Sequence, residues 1–165
     1  MNEKKTKQKA ETGSEVALLA GGCFWGVEHR LRDLPGVLDT EVGYSGGTTD
    51  NPGYEEVCSD ETGHAETVRV VFDSEQLPYA ELLNRFFGIH DPTTENRQGP
   101  DVGTQYRSAI FYTSDTQKKV AEEVRDQIDR SRRWTDPVVT EISEAGPFWP
   151  AEEYHQDYLL KNPRE

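Results

Sequence analysis

The chain lacks what a membrane, a secreted scaffold or a polyanion would require. No apolar run approaches the roughly 20 residues that cross a bilayer, and residues 1–14 hold lysine, threonine and glutamate where an export signal would be apolar. Only two cysteines occur, Cys23 and Cys58, far apart and with no CxxC pair. That excludes a disulfide framework and a thioredoxin-like redox centre. Positive charge is scarce. Against 31 Asp and Glu stand 18 Lys and Arg, a formal charge of −13, so nucleic acid and anionic lipid would be repelled from most of the surface. There is no GxGxxG or GxxxxGK[ST] string and no internal repeat. What remains fits a cytoplasmic monomer. Its 165 residues, 33% of them hydrophobic, suffice for one core. Residues 1–14 read as a flexible polar tail and 15–165 as the folded unit.

The pattern of apolar residues predicts a strand over 15–20 and a helix over 25–34, with a second strand over 37–44 after Pro35-Gly36. One helical turn is expected over 54–58 and a strand over 64–72. A packed helix at 78–87 would bury Leu82, Leu83, Phe86 and Phe87. Residues 91–107 form a polar loop longer than a connector needs, of the kind that carries function. A strand over 108–112, a charged helix capped by Thr113 or Ser114 and running to about 132, a strand over 138–142 and a final short helix complete the order. This alternation, too irregular for a doubly wound sheet, predicts an α/β (α+β) single-domain two-layer sandwich.

Chemistry concentrates at Gly21-Gly22-Cys23-Phe24-Trp25-Gly26, where a cysteine stands between a strand and a helix. Free N–H groups and the helix dipole there favour a thiolate, so the pKa of Cys23 is expected to fall. The alternative is a buried thiol acting as a small hydrophobe. Glu66 shares a strand face with Val68, Val70 and Phe72, which would raise its pKa and make it a general acid. On an edge it would simply face water. Tyr54, Tyr106 and Asp101 could join the site, or serve packing and turn formation. The histidines His29, His64, His90 and His155 could join the cysteines around zinc on paper, but none has paired ligand spacing. A hydrolase with His155 as base for Cys23 is a further possibility.

The strings GGCFWGVE, GYSGG, YEEVCSDETGHAE and DPTTENRQGPDVGTQYRSAI, in this order and followed by YHQDYL, resemble the A-type peptide methionine sulfoxide reductases. The likeness runs from about Val16 to Asn162. It implies a ferredoxin-like mixed sheet with packed helices, and reduction of the S epimer of methionine sulfoxide, free or in proteins, with no metal or organic cofactor. Carried over by motif, Cys23 is the nucleophile and Glu66 the proton donor. Tyr54, Asp101 and Tyr106 bind and position the oxygen, and Phe24 and Trp25 wall the substrate methyl. Attack would leave a sulfenic acid on Cys23. The chain departs from many members in having no cysteine after Cys58. Recycling is therefore expected from thioredoxin, glutaredoxin or a small thiol, or from Cys58 as resolving residue, with a purely structural Cys58 the alternative. A noncatalytic binder of oxidised methionine segments would keep the pocket without the chemistry.

Overall fold

The computed structural model describes residues 14–59 and 61–162. The expected tail lies outside the described residues except for Ser14, which opens the first strand. In chain order the elements are β1 (Ser14–Gly21), α1 (Phe24–Arg32), β2 (Val37–Ser45), α2 (Tyr54–Cys58), β3 (Ala65–Asp73) and α3 (Tyr79–Phe87). A small hairpin, β4 (Arg97–Gln98) and β5 (Asp101–Val102), leads through a 3-10 turn at Thr104–Tyr106 to β6 (Ser108–Tyr112) and α4 (Asp115–Arg130). The chain closes with β7 (Glu141–Glu144), β8 (Trp149–Pro150), a 3-10 turn at Glu153–His155 and α5 (Tyr158–Lys161).

The main sheet has the order β7-β6-β1-β3-β2-β8. Its middle strands, β6-β1-β3-β2, run antiparallel to their neighbours, with α1 joining β1 to β2 and α3 lying between β3 and β6. That is the ferredoxin-like βαββαβ arrangement. It is widened by β7, parallel to β6, and by β8, antiparallel to β2. One sheet face, with Leu19, Val68, Val70 and Phe72, packs against the α1 and α3 side chains Val27, Leu31, Leu82, Phe86 and Phe87. The i, i+3, i+4 spacing on α3 puts Leu82, Leu83, Phe86 and Phe87 inward, as the sequence predicts. Ser114, rather than Thr113, caps α4, accepting a hydrogen bond from the Gln117 N–H.

In the main sheet two strands differ from expectation. The strand expected over 138–142 begins at Glu141, because the Val138 N–H donates to Asp129 Oδ1 and the Val139 N–H to the Pro92 carbonyl. Those residues are tied to α4 and a loop, and the ladder starts at Ala109↔Glu141. The two-residue β8 carries no alternation to read, yet it presses on β2: a Cβ on Gly43 would stand 2.4 Å from the Trp149 carbonyl oxygen.

His90 locks α3 to β6. Its Nδ1–H donates to the Phe86 carbonyl at 2.8 Å and its Nε2 accepts from Ser108 Oγ at 2.8 Å, both buried. Burial lowers its pKa from 6.5 to about 4, against the opposing pull of the Phe86 carbonyl and Asp91. The unfolded chain therefore takes up this proton first as pH falls. The His90 contribution to stability is complete above 6.5 and is lost towards 4, about 3 kcal/mol in all. Urea titrations across this window should show a shallower pH slope for His90→Gln than for the wild type. Equal slopes would remove His90 as the group responsible.

Candidate active site

Gly22, at φ +104°, turns the chain from β1 into α1. A Cβ there would lie 2.7 Å from Gln98 Cγ, so a side chain would push away the loop packed on it. The turn leaves Cys23 partly exposed at the N-cap of α1, its carbonyl accepting from the Gly26 and Val27 N–H groups. The next N–H, that of Phe24, donates to Glu66 Oε1 at 3.0 Å. Glu66, 1% exposed, projects from β3 beside Tyr44 of β2. It does not face water from a sheet edge. One hydrogen bond thus joins the centre of the sheet to the end of the helix that carries the thiol.

Aromatic rings wall the site on the α1 side. Phe24 is buried, and Trp25 stacks on Tyr158 at 3.7 Å while its Nε1–H donates to His155 Nδ1 at 2.9 Å. His155, 1% exposed, lies among Phe24, Trp25, Tyr54 and Tyr154 with ring separations of 4.1 to 5.7 Å. With Nδ1 taken by the indole and Nε2 3.8 Å from Glu152 Oε1, the ring does not serve Cys23 as the base a hydrolase would need. It organises the wall instead. Glu152 extends this scaffold, accepting from the Tyr44 hydroxyl and the Tyr54 N–H, each at 3.0 Å. Glu152 carries no local sequence signal, and Tyr158, though it lies within the YHQDYL string, is not singled out by it, since both reach the site only when the chain returns past β8.

The 91–107 loop supplies the opposite side. Asp91 accepts from the Thr93 N–H and hydroxyl, and Gln98 exchanges two hydrogen bonds with the Asp91 backbone. The β4-β5 hairpin sets Asp101 opposite Gln98, and the following 3-10 turn delivers Tyr106. The charges of Asp101 and Glu66 reach Cys23 and Tyr106, and that of Glu66 reaches Tyr54 as well, so these five residues lie close together. The sequence-predicted residues therefore do converge. Cys58, exposed at the end of α2, lies by the Tyr54 side chain and borders the group. His64 stands apart. Its Nδ1 accepts from the Gly47 N–H and its Nε2 meets the Thr49 carbonyl, fixing the glycine loop after β2. Among the described residues no three Cys, His, Asp or Glu side chains form a metal cage.

Burial decides the ionisation here. It pushes Glu66 up to about 8, ahead of the downward pull of the Phe24 N–H and the upward push of Asp101. The expected fall at Cys23 is overturned: burial first, then the Glu66 charge, raise its thiol from 9.0 to about 11, against hydrogen bonds from the Trp25 and Gly26 N–H groups. Burial also raises both phenols, Tyr106 to about 12. At neutral pH the site holds a thiol, a carboxylic acid and two phenols. Because Glu66 Oε1 accepts from Phe24, its proton sits on Oε2.

A cysteine at a helix start, a protonated carboxyl beside it, two phenolic donors and an apolar wall define, on this ferredoxin-like sheet, a thiol-dependent oxidoreductase. Residues 15–165 match the model of the family described as peptide methionine sulfoxide reductase, and the chain belongs to that family. The peptide methionine sulfoxide reductase MsrA of Methanothermobacter thermautotrophicus is 57% identical over 91% of this chain and 89% of that protein. The reduced form of Mxr1 from Saccharomyces cerevisiae superposes with a TM-score of 0.89 and 39% identity, covering 95% of this chain and 91% of the other. Mxr1 solved in complex with Trx2 matches at 0.65 and 26% identity, over 91% and 88% of the two chains.

The coupling between thiol and carboxyl is measurable. In a Cys58→Ser background, alkylation of Cys23 followed against pH should have a midpoint well above an ordinary thiol's. Adding Glu66→Gln should move it down, because a raising charge is removed, while burial keeps it high. An unchanged midpoint would mean that Glu66 does not act on the thiol.

Proposed function

We propose that this chain reduces the S epimer of methionine sulfoxide, free or within proteins, to methionine, with Cys23 as nucleophile and Glu66 as proton donor. The observation carrying the reading is the Phe24 N–H to Glu66 Oε1 hydrogen bond of 3.0 Å, which holds a protonated carboxyl against the turn that begins at Cys23. A sulfoxide sulfur is a poor electrophile until its oxygen is protonated or strongly hydrogen-bonded. Tyr54, Tyr106 and Asp101 position that oxygen while Glu66 Oε2 gives it a proton. Cys23 Sγ bonds to the substrate sulfur and the thiol proton restores Glu66. The hydroxyl then passes to Cys23 as the sulfur–sulfur bond breaks, releasing methionine. In sum, the Cys23 thiol and a sulfoxide become the Cys23 sulfenic acid and a thioether, with no net proton exchanged. Phe24 and Trp25 receive the methyl, and the contrast between apolar and polar sides selects one epimer.

The sulfenic acid is then attacked by a thiol, which forms a disulfide and releases water, and a second thiol frees Cys23. Thioredoxin is the reductant we favour, supported by the solved complex of the related Mxr1 with Trx2. Glutaredoxin or a small thiol could serve likewise. Cys58 is the internal candidate, through its contact with Tyr54. We read residues 15–165 as the catalytic unit, working as a cytoplasmic monomer. Among the described residues no helix is long and apolar enough to cross a membrane, and size-exclusion chromatography tests the monomer.

Glu66→Gln should lower kcat by about 10² to 10⁴ with little change in KM. Near-normal turnover would remove Glu66 as the acid. In the wild type the acid form is present below its raised pKa, so kcat/KM should fall as pH rises through about 8. The Gln variant should lack that limb.

A single turnover without reductant separates the recycling routes. Pre-reduced protein is mixed with the S epimer of a blocked methionine sulfoxide, and methionine and free thiols are counted. Methionine formed with both thiols consumed, in monomeric protein, would make Cys58 the resolving residue. Loss of the Cys23 thiol alone would leave recycling to an external thiol.

A further inference from the structure

The reactive end of α1 and its solvent face are in line. Phe24, Val27, Glu28 and Leu31 point inward, so Gly26 and Arg30, at i and i+4, share the outer side of the helix that starts after Cys23. A Cβ on Gly26 would meet nothing within 4 Å, so the path along the helix from Cys23 is unobstructed there. Arg30 opens onto a groove of about 310 Å³ whose walls include Arg30, Arg85 and Arg133 and whose apolar floor includes Leu31, Leu34 and Ile89.

Three guanidinium groups around one groove stand out in a chain of charge −13. Arg30 and Arg85 complement the carbonyl ends of their helices, an ordinary role for arginine. Arg30 donates to the Ile89 carbonyl at 3.0 Å, and Arg85 pairs with Glu81 at 2.9 Å. Arg133 reaches the end of α3 from another element, its Nη1 lying 3.9 Å from where a Cβ on Gly88 would stand. It comes from the turn after α4, directly behind Arg130 and Arg132, and forms no ion pair with a described carboxylate. Glu81 is engaged by Arg85, and among the described residues no carboxylate lines the groove. The groove therefore has cationic capacity to spare.

We infer that it receives an acidic stretch of an oxidised polypeptide substrate, Arg30 and Arg133 meeting its carboxylates while the sulfoxide lies at Cys23. The inference rests on the site assignment above. From Cys23 to Arg30 the helix rises about 10 Å, which an extended peptide spans in about three residues at roughly 3.3 Å each. The acidic side chains belong some three to five positions from the oxidised methionine. Their stems lie on the apolar floor.

The test uses three peptides of one length with a single methionine S-sulfoxide and Glu, Gln or Lys at those positions on both sides, reduced with saturating dithiothreitol. Wild-type kcat/KM should rank Glu above Gln above Lys, spanning about fivefold at low salt and shrinking as salt is raised. Arg30→Glu/Arg133→Glu should abolish or invert the ranking while leaving reduction of blocked methionine sulfoxide unchanged. Equal rates on the three peptides in the wild type, or a ranking that survives the double variant, would overturn the inference. So would a defect appearing only when thioredoxin replaces dithiothreitol, which would assign the groove to the reductant. Failure of the wild type to reduce the blocked amino acid would instead overturn the site assignment, and the inference with it.

Discussion

The hydrogen bond from the Phe24 N–H to Glu66 Oε1 is the constraint on which the site depends. It satisfies one of the free N–H groups at the start of α1 with a carboxyl from the interior strand β3, so helix position and acid position are set together. Gly22 contributes the turn that brings the helix start to this place. The Tyr44↔Glu66 pairing in the sheet fixes the acid from the other side. Neither partner can move without disturbing the turn that carries the thiol.

The apolar wall depends on the C-terminal return in the same way. Glu28, fully buried on α1, accepts from the Thr40 hydroxyl at 2.8 Å and from the Asp157 N–H at 2.9 Å. Gln156 exchanges hydrogen bonds with the Val42 backbone. Between these anchors the 3-10 turn presents His155 to the Trp25 indole, and α5 presents Tyr158 to its face. The position of Trp25 is therefore set by residues some 130 places later, held by buried polar groups whose hydrogen bonds tie α1, β2 and the return together.

What is legible in the sequence follows from how local each cause is. Apolar spacing and glycine punctuation place β1, β2, α3 and β6 to within a residue or two, because strand alternation and helical stripes are written in neighbouring residues. The motif strings name Cys23, Glu66, Tyr54, Asp101 and Tyr106, and the fold brings these together. The start of β7 escapes such a reading because the Val138 and Val139 N–H groups find partners outside the sheet, which no strand propensity encodes. His155 offers itself in the sequence as a possible base; only the distant Trp25 shows that its nitrogen is occupied. The thiol pKa is misjudged from sequence for the same reason. The helix start is a local feature, while burial and the Glu66 charge come from the whole fold.

Magnitudes explain the direction of that error. A helix N-terminus favours an adjacent anion by about 1 kcal/mol, whereas taking an ion out of water costs several. In a site closed by aromatic walls the second effect wins, and it wins for carboxyl and thiol alike. Singly, a protonated thiol is a poor nucleophile. In the proposed reaction the pair holds the two protons that are passed, one for the sulfoxide oxygen and one to restore the acid. A permanent thiolate beside Glu66 would raise the pKa of the acid further and would stand open to unproductive oxidants. On that proposal, keeping both groups neutral until a sulfoxide oxygen arrives ties the nucleophile's activation to the presence of the substrate. The same burial that disfavours the resting thiolate thus gives the site its acid.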